Sequence, residues 1–520
     1  MKGSASLFKN SLIVITASII SRFLGLLRTS VFAHRFGTGE VLGAYNAAFG
    51  LVDAIYLLVI GGALGSSLIP VFTRYLAKDR ERDAWQLVST VLNFSLLAAM
   101  GFALLFYLTA PVLVPSIIMP GESPDQQAFT VQIIRILLIQ PIILGLCGVS
   151  LAILNSFKRF LLTSIGPLIY NLSIIAGAAF FSSADDISGV LYGVILGAVL
   201  YFLVLLPGLI SVGFKYKPSL NWRTPGFKQV MFLMLPRILG QAVFHINFIA
   251  LRAFASFGGS FMITTLEYGY RLFNLPLGIL GISIGTVAFP TLATYANQEA
   301  WDSYANTLRK VFRIILFFAI PIAFGLFSLR FPIIRLLYMR GQFDIQALHT
   351  TAMYLLFFAA GLPLACITEV AVRAFYALHD TKTPVLIGAV IVGVNIFLGF
   401  LISRGLPLYL LAGTFSLTNS LEAIALLFLL KKRLSLKKWA GLTATIVRAL
   451  TAGALMAAVL SIGSSFFTAS LPEMNGFLVI ALILSFTAVG AGIYFIVQKL
   501  TGSPEISDAL QMVRQKLKKK

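Results

Sequence analysis

SLIVITASIISRFLGLLRTSVFAHRFG, residues 11–37, is long and apolar enough to cross a bilayer, yet Arg22 and Arg28 stand inside it. About 20 apolar residues span the roughly 30 Å hydrocarbon core. An arginine at the centre of a lipid-facing helix costs about 2.5–3.5 kcal/mol, so such residues face protein or a water-filled cavity. The stretch therefore predicts a membrane helix with one face turned away from lipid.

The rest of the chain fits that reading. Of 520 residues, 58% are hydrophobic and 11% are charged, where a soluble domain carries about 25% charged residues. Apolar stretches of spanning length recur from end to end, and the alternating segments of about 10 residues that mark a membrane β-barrel do not. The fold class is an all-α polytopic membrane protein. Net charge is +21, from 40 Lys and Arg against 19 Asp and Glu. In a soluble protein this would suggest nucleic acid; in a membrane protein it follows from cytoplasmic loops rich in Lys and Arg, so no nucleic-acid partner is expected. Cys147 and Cys366 lie in apolar runs, with no disulfide framework and no metal spacing. Lys2 and Lys9 precede the first apolar run without a small-residue cleavage site, as an uncleaved first span would.

Fourteen spans are predicted, near 8–34, 41–72, 86–112, 128–154, 161–182, 187–213, 228–256, 262–294, 309–330, 346–376, 384–403, 406–430, 442–466 and 475–498. Loops carrying Arg74, Lys78, Arg80 and Arg82, then Lys158 and Arg159, then Lys215, Lys217, Arg223 and Lys228, fall on one side, as do Lys431, Lys432 and Arg433. Loops such as PSIIMPGESPDQQ and SSADDIS, with no Lys or Arg, fall on the other. The alternation puts both termini in the cytoplasm. Arg335 and Arg340, in a loop on the outer side, break it.

An internal repeat is visible. Gly65, Pro70 and Tyr75 match Gly285, Pro290 and Tyr295 at an offset of 220, and Lys158 and Asn171 match Lys382 and Asn395 at 224. An offset of six spans gives a parallel repeat about an axis along the membrane normal. The expected organisation is a first lobe over 1–215, a second over 216–433, two added spans over 434–500 and a basic amphipathic tail over 501–520 lying on the inner membrane face.

Seven arginines fall within predicted spans: Arg22, Arg28, Arg135, Arg237, Arg252, Arg271 and Arg448. Asp53, Glu267, Glu369 and Glu422 are the acidic residues at comparable depth, too few to pair them all. Arg135, Arg237 and Arg448 lie near span ends, within snorkelling reach of headgroups. Arg22, Arg28 and Arg271 are deeper and point to a cavity, with buried structural pairing as the alternative. Guanidinium binds phosphate in bidentate fashion and stays charged. A cavity lined by arginines with few carboxylates suits an anionic, phosphorylated substrate carried by a two-lobed transporter.

Several stretches resemble the MurJ (MviN) family of lipid II flippases, in the multidrug/oligosaccharidyl-lipid/polysaccharide (MOP) exporter superfamily. They are SRFLGLLRTSVFAHRFGTG (21–39), GALGSSLIPVF (62–72), LAILNSFKRF (151–160), GPLIYN (166–171), YGYRLFNLPLGILGISIGTVAFPTL (268–292) and RAFYALHDTKTP (373–384). The resemblance implies fourteen helices, two lobes around a cationic central cavity and alternating access. It implies a groove at the last two helices for a polyprenyl tail. The cargo would be undecaprenyl-diphosphate-linked peptidoglycan precursor, moved from the inner to the outer leaflet of the bacterial cytoplasmic membrane. The family's essential arginines match Arg22, Arg28 and Arg271; Asn274 fits the amide that follows the last of these, and Arg252 joins the substrate-binding set.

Departures from the family pattern are also visible. Thr29 stands where an Asp usually follows the second arginine, and Gly43 where an Asp precedes the second span. Tyr56-Leu57 replaces a basic pair, Leu251 an Asp found in some members, and Gly399 an acidic residue that could help hold sodium. Glu267, one turn before Arg271, is a candidate for ion coupling or for structural pairing; Asp53 is a second. Membrane potential, sodium and protons all remain compatible, and no cofactor or metal is expected. A monomer working on a lipid-linked glycan diphosphate among membrane lipids is the expected form.

Two other classes compete. One is a flippase for a different polyprenyl-diphosphate glycan. The other is a membrane enzyme acting on the same lipid, which needs carboxylates or histidines gathered at one face. His34, His245, His349 and His379 are scattered, His379-Asp380 reads as a helix-capping turn, and there is no Walker-type phosphate loop. A transporter rather than an enzyme is expected.

Overall fold

The computed structural model describes residues 2–59, 63–434, 441–468 and 470–506. Among them the chain is helical throughout, with no strand. The helices are α1 (Lys2–Phe36), α2 (Glu40–Val59), α3 (Ala63–Leu76), α4 (Glu81–Leu113), α5 (Pro124–Leu137), α6 (Ile139–Ser156), α7 (Phe160–Phe180), α8 (Ser188–Ser211) and α9 (Phe227–Ala255). They continue as α10 (Gly259–Pro276), α11 (Ser283–Asn297), α12 (Trp301–Leu337), α13 (Ile345–Ala377), α14 (Lys382–Ser403), α15 (Leu410–Arg433), α16 (Leu442–Thr468) and α17 (Gly476–Leu500). Eleven helical stretches among the described residues are long and apolar enough to cross a membrane. One of them, 227–297, runs for 71 residues, which at about 20 residues per crossing is length for more than one pass. The chain is a multi-pass membrane protein.

The proline-bearing stretch LFNLP (272–276) is helical and closes α10. The wide π-type turn Leu277–Ile282 follows it. Proline has no N–H to donate to the preceding turn, and a π-type turn is one way a helix absorbs that loss without ending.

Four turns share one geometry. Asp79, Lys158, Glu299 and His379 are the described non-glycine residues with positive φ, at 53°, 58°, 54° and 58°. Each closes a helix in the same way. Asp79 N–H donates to Leu76 O and Arg80 N–H to Tyr75 O, while Glu299 N–H donates to Ala296 O and Ala300 N–H to Tyr295 O. The pairs Lys158/Arg159 and His379/Asp380 donate to Asn155/Leu154 and Tyr376/Phe375. A left-handed residue after a helix satisfies carbonyls the helix leaves open. Asp79 and Glu299 are 220 apart in number, the first offset of the sequence repeat, and Lys158 and His379 are 221 apart, close to it.

The chain divides into two compact units, Met1–Thr264 with Arg340–Phe343, and Thr265–Met339 with Asp344–Lys520. The sequence repeat divides it earlier, at 215/216. The difference is α9, which packs on α2 and α3. Within the first unit the Arg340–Phe343 segment meets the end of α1, where Gln342 N–H donates to His34 O at 3.1 Å.

Arg335 has its own explanation. It lies in the last turn of α12 rather than in a loop. Its guanidinium donates to the carbonyls of Leu471, Pro472 and Met474 at 3.1, 3.0 and 2.9 Å, and to Met339 O at 3.0 Å. It is a structural cation that orders the α16–α17 connection, so it carries no information on topology.

In the second unit α16 and α17 pack on α12 through Phe317, Ala452, Met456, Leu460 and Tyr494, and Tyr494 OH donates to Phe317 O at 2.7 Å. Just beyond α17, Glu505 is held by three groups. Arg313 Nη2 is 2.8 Å away, Thr445 Oγ1 donates at 2.7 Å and Ser503 Oγ at 2.6 Å. Burial works to raise its pKa, but these hydrogen bonds outweigh it and hold the carboxyl below its usual range. A depressed carboxylate stabilises the fold above its unfolded pKa and loses that contribution as pH falls through the folded value. Glu505→Gln is expected to cost about 1–3 kcal/mol and to expose the C-terminal segment to protease, with the difference vanishing in acid. An unchanged melting temperature at neutral pH counts against the latch. The tail expected over 501–520 lies, from 507 onward, outside the described residues.

Candidate functional site

In the first unit, Arg22 lines a cavity of about 860 Å³ with Ser18 and Ser21 of α1, Asn155 of α6, Thr163 and Ser164 of α7 and Tyr201 of α8. Ser18, Ser21 and Arg22 stand at i, i+3 and i+4, so one face of α1 presents two hydroxyls and the guanidinium together. Ala17, Ile69, Leu151, Phe160 and Pro167 supply apolar wall. Hydroxyls, an amide and one guanidinium on a partly apolar wall can hold an anionic, oxygen-rich group.

Arg28 does not line this cavity; it acts electrostatically on the half-buried Tyr170 of α7, as do Asp53, Tyr56 and Tyr45 of α2. Gln140 of α6 donates to Tyr170 Oη at 2.9 Å. Arg28 of α1, Asp53 of α2 and Gln140 of α6 thus all act on Tyr170 of α7. The six-residue spacing of Arg22 and Arg28 puts them about 240° apart on an ideal helix, and they have different surroundings accordingly.

Arg252 of α9 is packed against α2. A Cβ on Gly50 would sit 2.7 Å from its Cζ, so glycine there makes the space for the guanidinium. The guanidinium also lies over the Phe248 ring at 4.5 Å.

In the second unit, Arg271 Nε is 3.7 Å from a Glu267 oxygen, one turn earlier on α10. Glu267 is buried, and the Arg271 side chain is 29% exposed. Asn274 Nδ2 donates to Tyr270 O at 3.2 Å. Tyr270 and Phe273 pack with Phe358 and Phe415 in an aromatic cluster, ring centroids 5.5 to 6.0 Å apart. That rigid base sets the height at which Arg271 and Asn274 leave the helix. Glu369 pairs with Arg373 at 2.6 Å, as their one-turn spacing implies. Arg22, Arg28, Arg252 and Asp53 belong to the first unit, and Glu267, Arg271 and Asn274 to the second. Among the described residues no group of His, Cys, Asp and Glu could hold a metal.

Two departures from the family pattern have local compensation. Thr29 is buried and its hydroxyl donates to Gly25 O at 2.9 Å, so the position is satisfied without charge. A Cβ on Gly43 would come within 2.7 Å of Ser260 Cα. The Ser260 hydroxyl donates to Glu122 at 2.7 Å. Gly43→Asp therefore forces α2 and the start of α10 apart, at about 1–3 kcal/mol, with partial rescue by Ser260→Gly. A melting temperature unchanged by Gly43→Asp contradicts the close approach.

The hydroxyls around Arg22 and the Tyr170–Gln140 pair were missed in the sequence. The i, i+3, i+4 pattern on α1 was a usable signal for Ser18 and Ser21. Tyr170 and Gln140 carry no local signal, because their partners are distant in the chain.

Residues 32–482 match the family model described as Lipid II flippase MurJ. A relative from Haemophilus influenzae, named "Probable lipid II flippase MurJ", is 30% identical over 72% of this chain and 76% of its own length. One of the same name from Rhizobium meliloti is 27% identical over 99% of this chain and 97% of its own. "Lipid II flippase MurJ" from Burkholderia cenocepacia is 28% identical over 73% and 75%. Among solved structures, "Lipid II flippase MurJ, inward closed conformation" superposes with a TM-score of 0.77 at 24% identity, covering 95% of this chain and all of that one. An inward-facing multidrug resistance MATE transporter of the MOP superfamily gives 0.68 at 13%, covering 82% and 98%. Both share the fold.

Proposed function

The chain belongs to the lipid II flippase MurJ family, and we propose from that premise that it moves lipid II across the bacterial inner membrane. The cargo would pass from the inner to the outer leaflet. The reading carries fourteen crossings, two six-helix lobes related by a parallel repeat, two added helices and both termini in the cytoplasm. The repeated left-handed turns after α3, α6, α11 and α13 support the repeat.

The diphosphate is held by Arg22, Arg28 and Arg271, with Asn274 and Arg252 in support. The undecaprenyl tail stays in lipid beside α16 and α17, and the two lobes rock to expose the head to one side and then the other. The observation that carries this is Arg22, deep in a predicted span and set among hydroxyls in a cavity large enough for more than a phosphate. The chemistry is binding and release, with no bond made or broken. Glu267 and Asp53, each close to an arginine, tune the cation's charge or couple it to an ion. Proton, sodium or potential drive are all consistent with them, and a monomer suffices.

A second reading, another polyprenyl-diphosphate glycan as cargo, is favoured by Thr29 and Gly43, where uncharged residues are locally satisfied. The discriminating experiment is growth of bacteria depleted of their own lipid II flippase and expressing this chain. Rescue supports lipid II. Lack of rescue with the protein present in the membrane favours the other glycan.

A further inference from the structure

We propose that the connection between α8 and α9 is a binding site for an anionic phospholipid headgroup of the adjacent leaflet. The stretch GFKYKPSLNWRTPGFK, residues 213–228, holds Lys215, Lys217, Arg223 and Lys228 and no acidic residue. It is fastened rather than loose. Lys217 N–H donates to Ser89 Oγ at 3.0 Å, and Asn93 Nδ2 to Ser219 O at 2.9 Å. Tyr216 Oη donates to Asn93 Oδ1 at 2.9 Å, and the Thr224 and Thr90 hydroxyls are 3.2 Å apart. Asn221 caps the turn by accepting from Arg223 N–H at 2.9 Å.

Fixed in this way, the loop still leaves large apolar groups uncovered: Tyr216 is 52%, Leu220 56% and Trp222 55% exposed. The cations gather at the indole. Arg223 Cζ lies 5.5 Å and Lys228 Nζ 5.3 Å from the Trp222 ring centroid. Two cations at one aromatic ring present several donors to a phosphate while the ring and Leu220 offer apolar surface beside them. Tryptophan favours the membrane–water boundary for this reason, and cations there are attracted to anionic lipid.

The depth is fixed by α4. Its 33 residues extend about 50 Å, some 20 Å more than the hydrocarbon core. The loop is tied to Ser89, Thr90 and Asn93, within the first thirteen residues of that helix. With the excess length of α4 at its charged start, Glu81 to Asp83, this end of the helix reaches headgroup depth. Charge, exposed aromatic surface and depth together select an anionic lipid over an acidic soluble protein.

The test uses the full chain in vesicles of phosphatidylcholine and phosphatidylglycerol, with bromine on the chains of one lipid or the other at equal mole fraction. The emission lost in Trp222→Phe isolates the Trp222 signal. Attraction of about 1 kcal/mol per cation corresponds to roughly fivefold enrichment. Stronger quenching by brominated phosphatidylglycerol, abolished in Arg223→Gln/Lys228→Gln, is the expected result. Equal quenching by both lipids overturns the proposal by showing no headgroup selection. A Trp222 quenched by neither lipid but by aqueous iodide also overturns it, and leaves the patch to a soluble partner.

Discussion

Arg22→Ala, Arg28→Ala and Arg271→Ala are each expected to abolish rescue of flippase-depleted bacteria while the protein remains at normal level in the membrane. Arg22 is exposed and Arg28 and Arg271 are half-buried, so losing a charged hydrogen bond to phosphate costs about 1.5–3 kcal/mol, which is roughly 10-fold to 150-fold in affinity. The three should differ in how they respond to lysine. Arg22 lines an open, hydroxyl-rich cavity, where a point charge still attracts a phosphate, so Arg22→Lys retains partial rescue. Arg28 shares its influence on Tyr170 with Asp53 and Tyr45, and Arg271 stands one turn from a buried Glu267. The planar fork matters more in such surroundings, so their lysine variants should fail. Lipid II binding to purified protein gives the second readout. Three alanine variants that transport normally would defeat the arginine-held diphosphate.

Arg335→Ala is expected to lower thermal stability by about 1.5–3 kcal/mol, the cost of losing half-buried hydrogen bonds made by a charged donor. Four backbone carbonyls lose their donor at once, three of them in the α16–α17 connection. Arg335→Lys should recover only part, since one ammonium cannot reach all four in the geometry a guanidinium spans. The effect should appear as a lower melting temperature in detergent and as new protease cleavage near 471–474. A melting temperature unchanged in Arg335→Ala would mean that water takes over the carbonyls at no cost. Because α16 and α17 are the proposed seat of the polyprenyl tail, transport should fall with stability.

The two predictions draw on different layers of legibility. Arg22, Arg28 and Arg271 stood out in the sequence because charge in an apolar span is costly wherever the span meets lipid. That cost is a property of the segment and needs no knowledge of its neighbours. Arg335 was legible only as an anomaly. Its role depends on carbonyls about 136 residues further along the chain, and nothing local encodes them. Arg252 shows the same limit, since its surroundings depend on Gly50 leaving room on α2. Thr29 and Gly43 read as losses from the family pattern until Gly25 O and Ser260 were seen to fill the places.

The sequence by itself determined that this is a helical membrane protein and where most of its apolar segments run, and it pointed to a duplication and to three arginines within predicted spans. These follow from hydropathy, charge and self-similarity, which are properties of contiguous residues. Only the tertiary structure decided that α9 packs with the first unit, that Arg22 has hydroxyl neighbours while Arg28 has phenols and a carboxylate, and that Arg335 holds a distant loop. Those depend on which helices lie side by side, and a helix carries little mark of its neighbours where hydrophobicity alone is what they share.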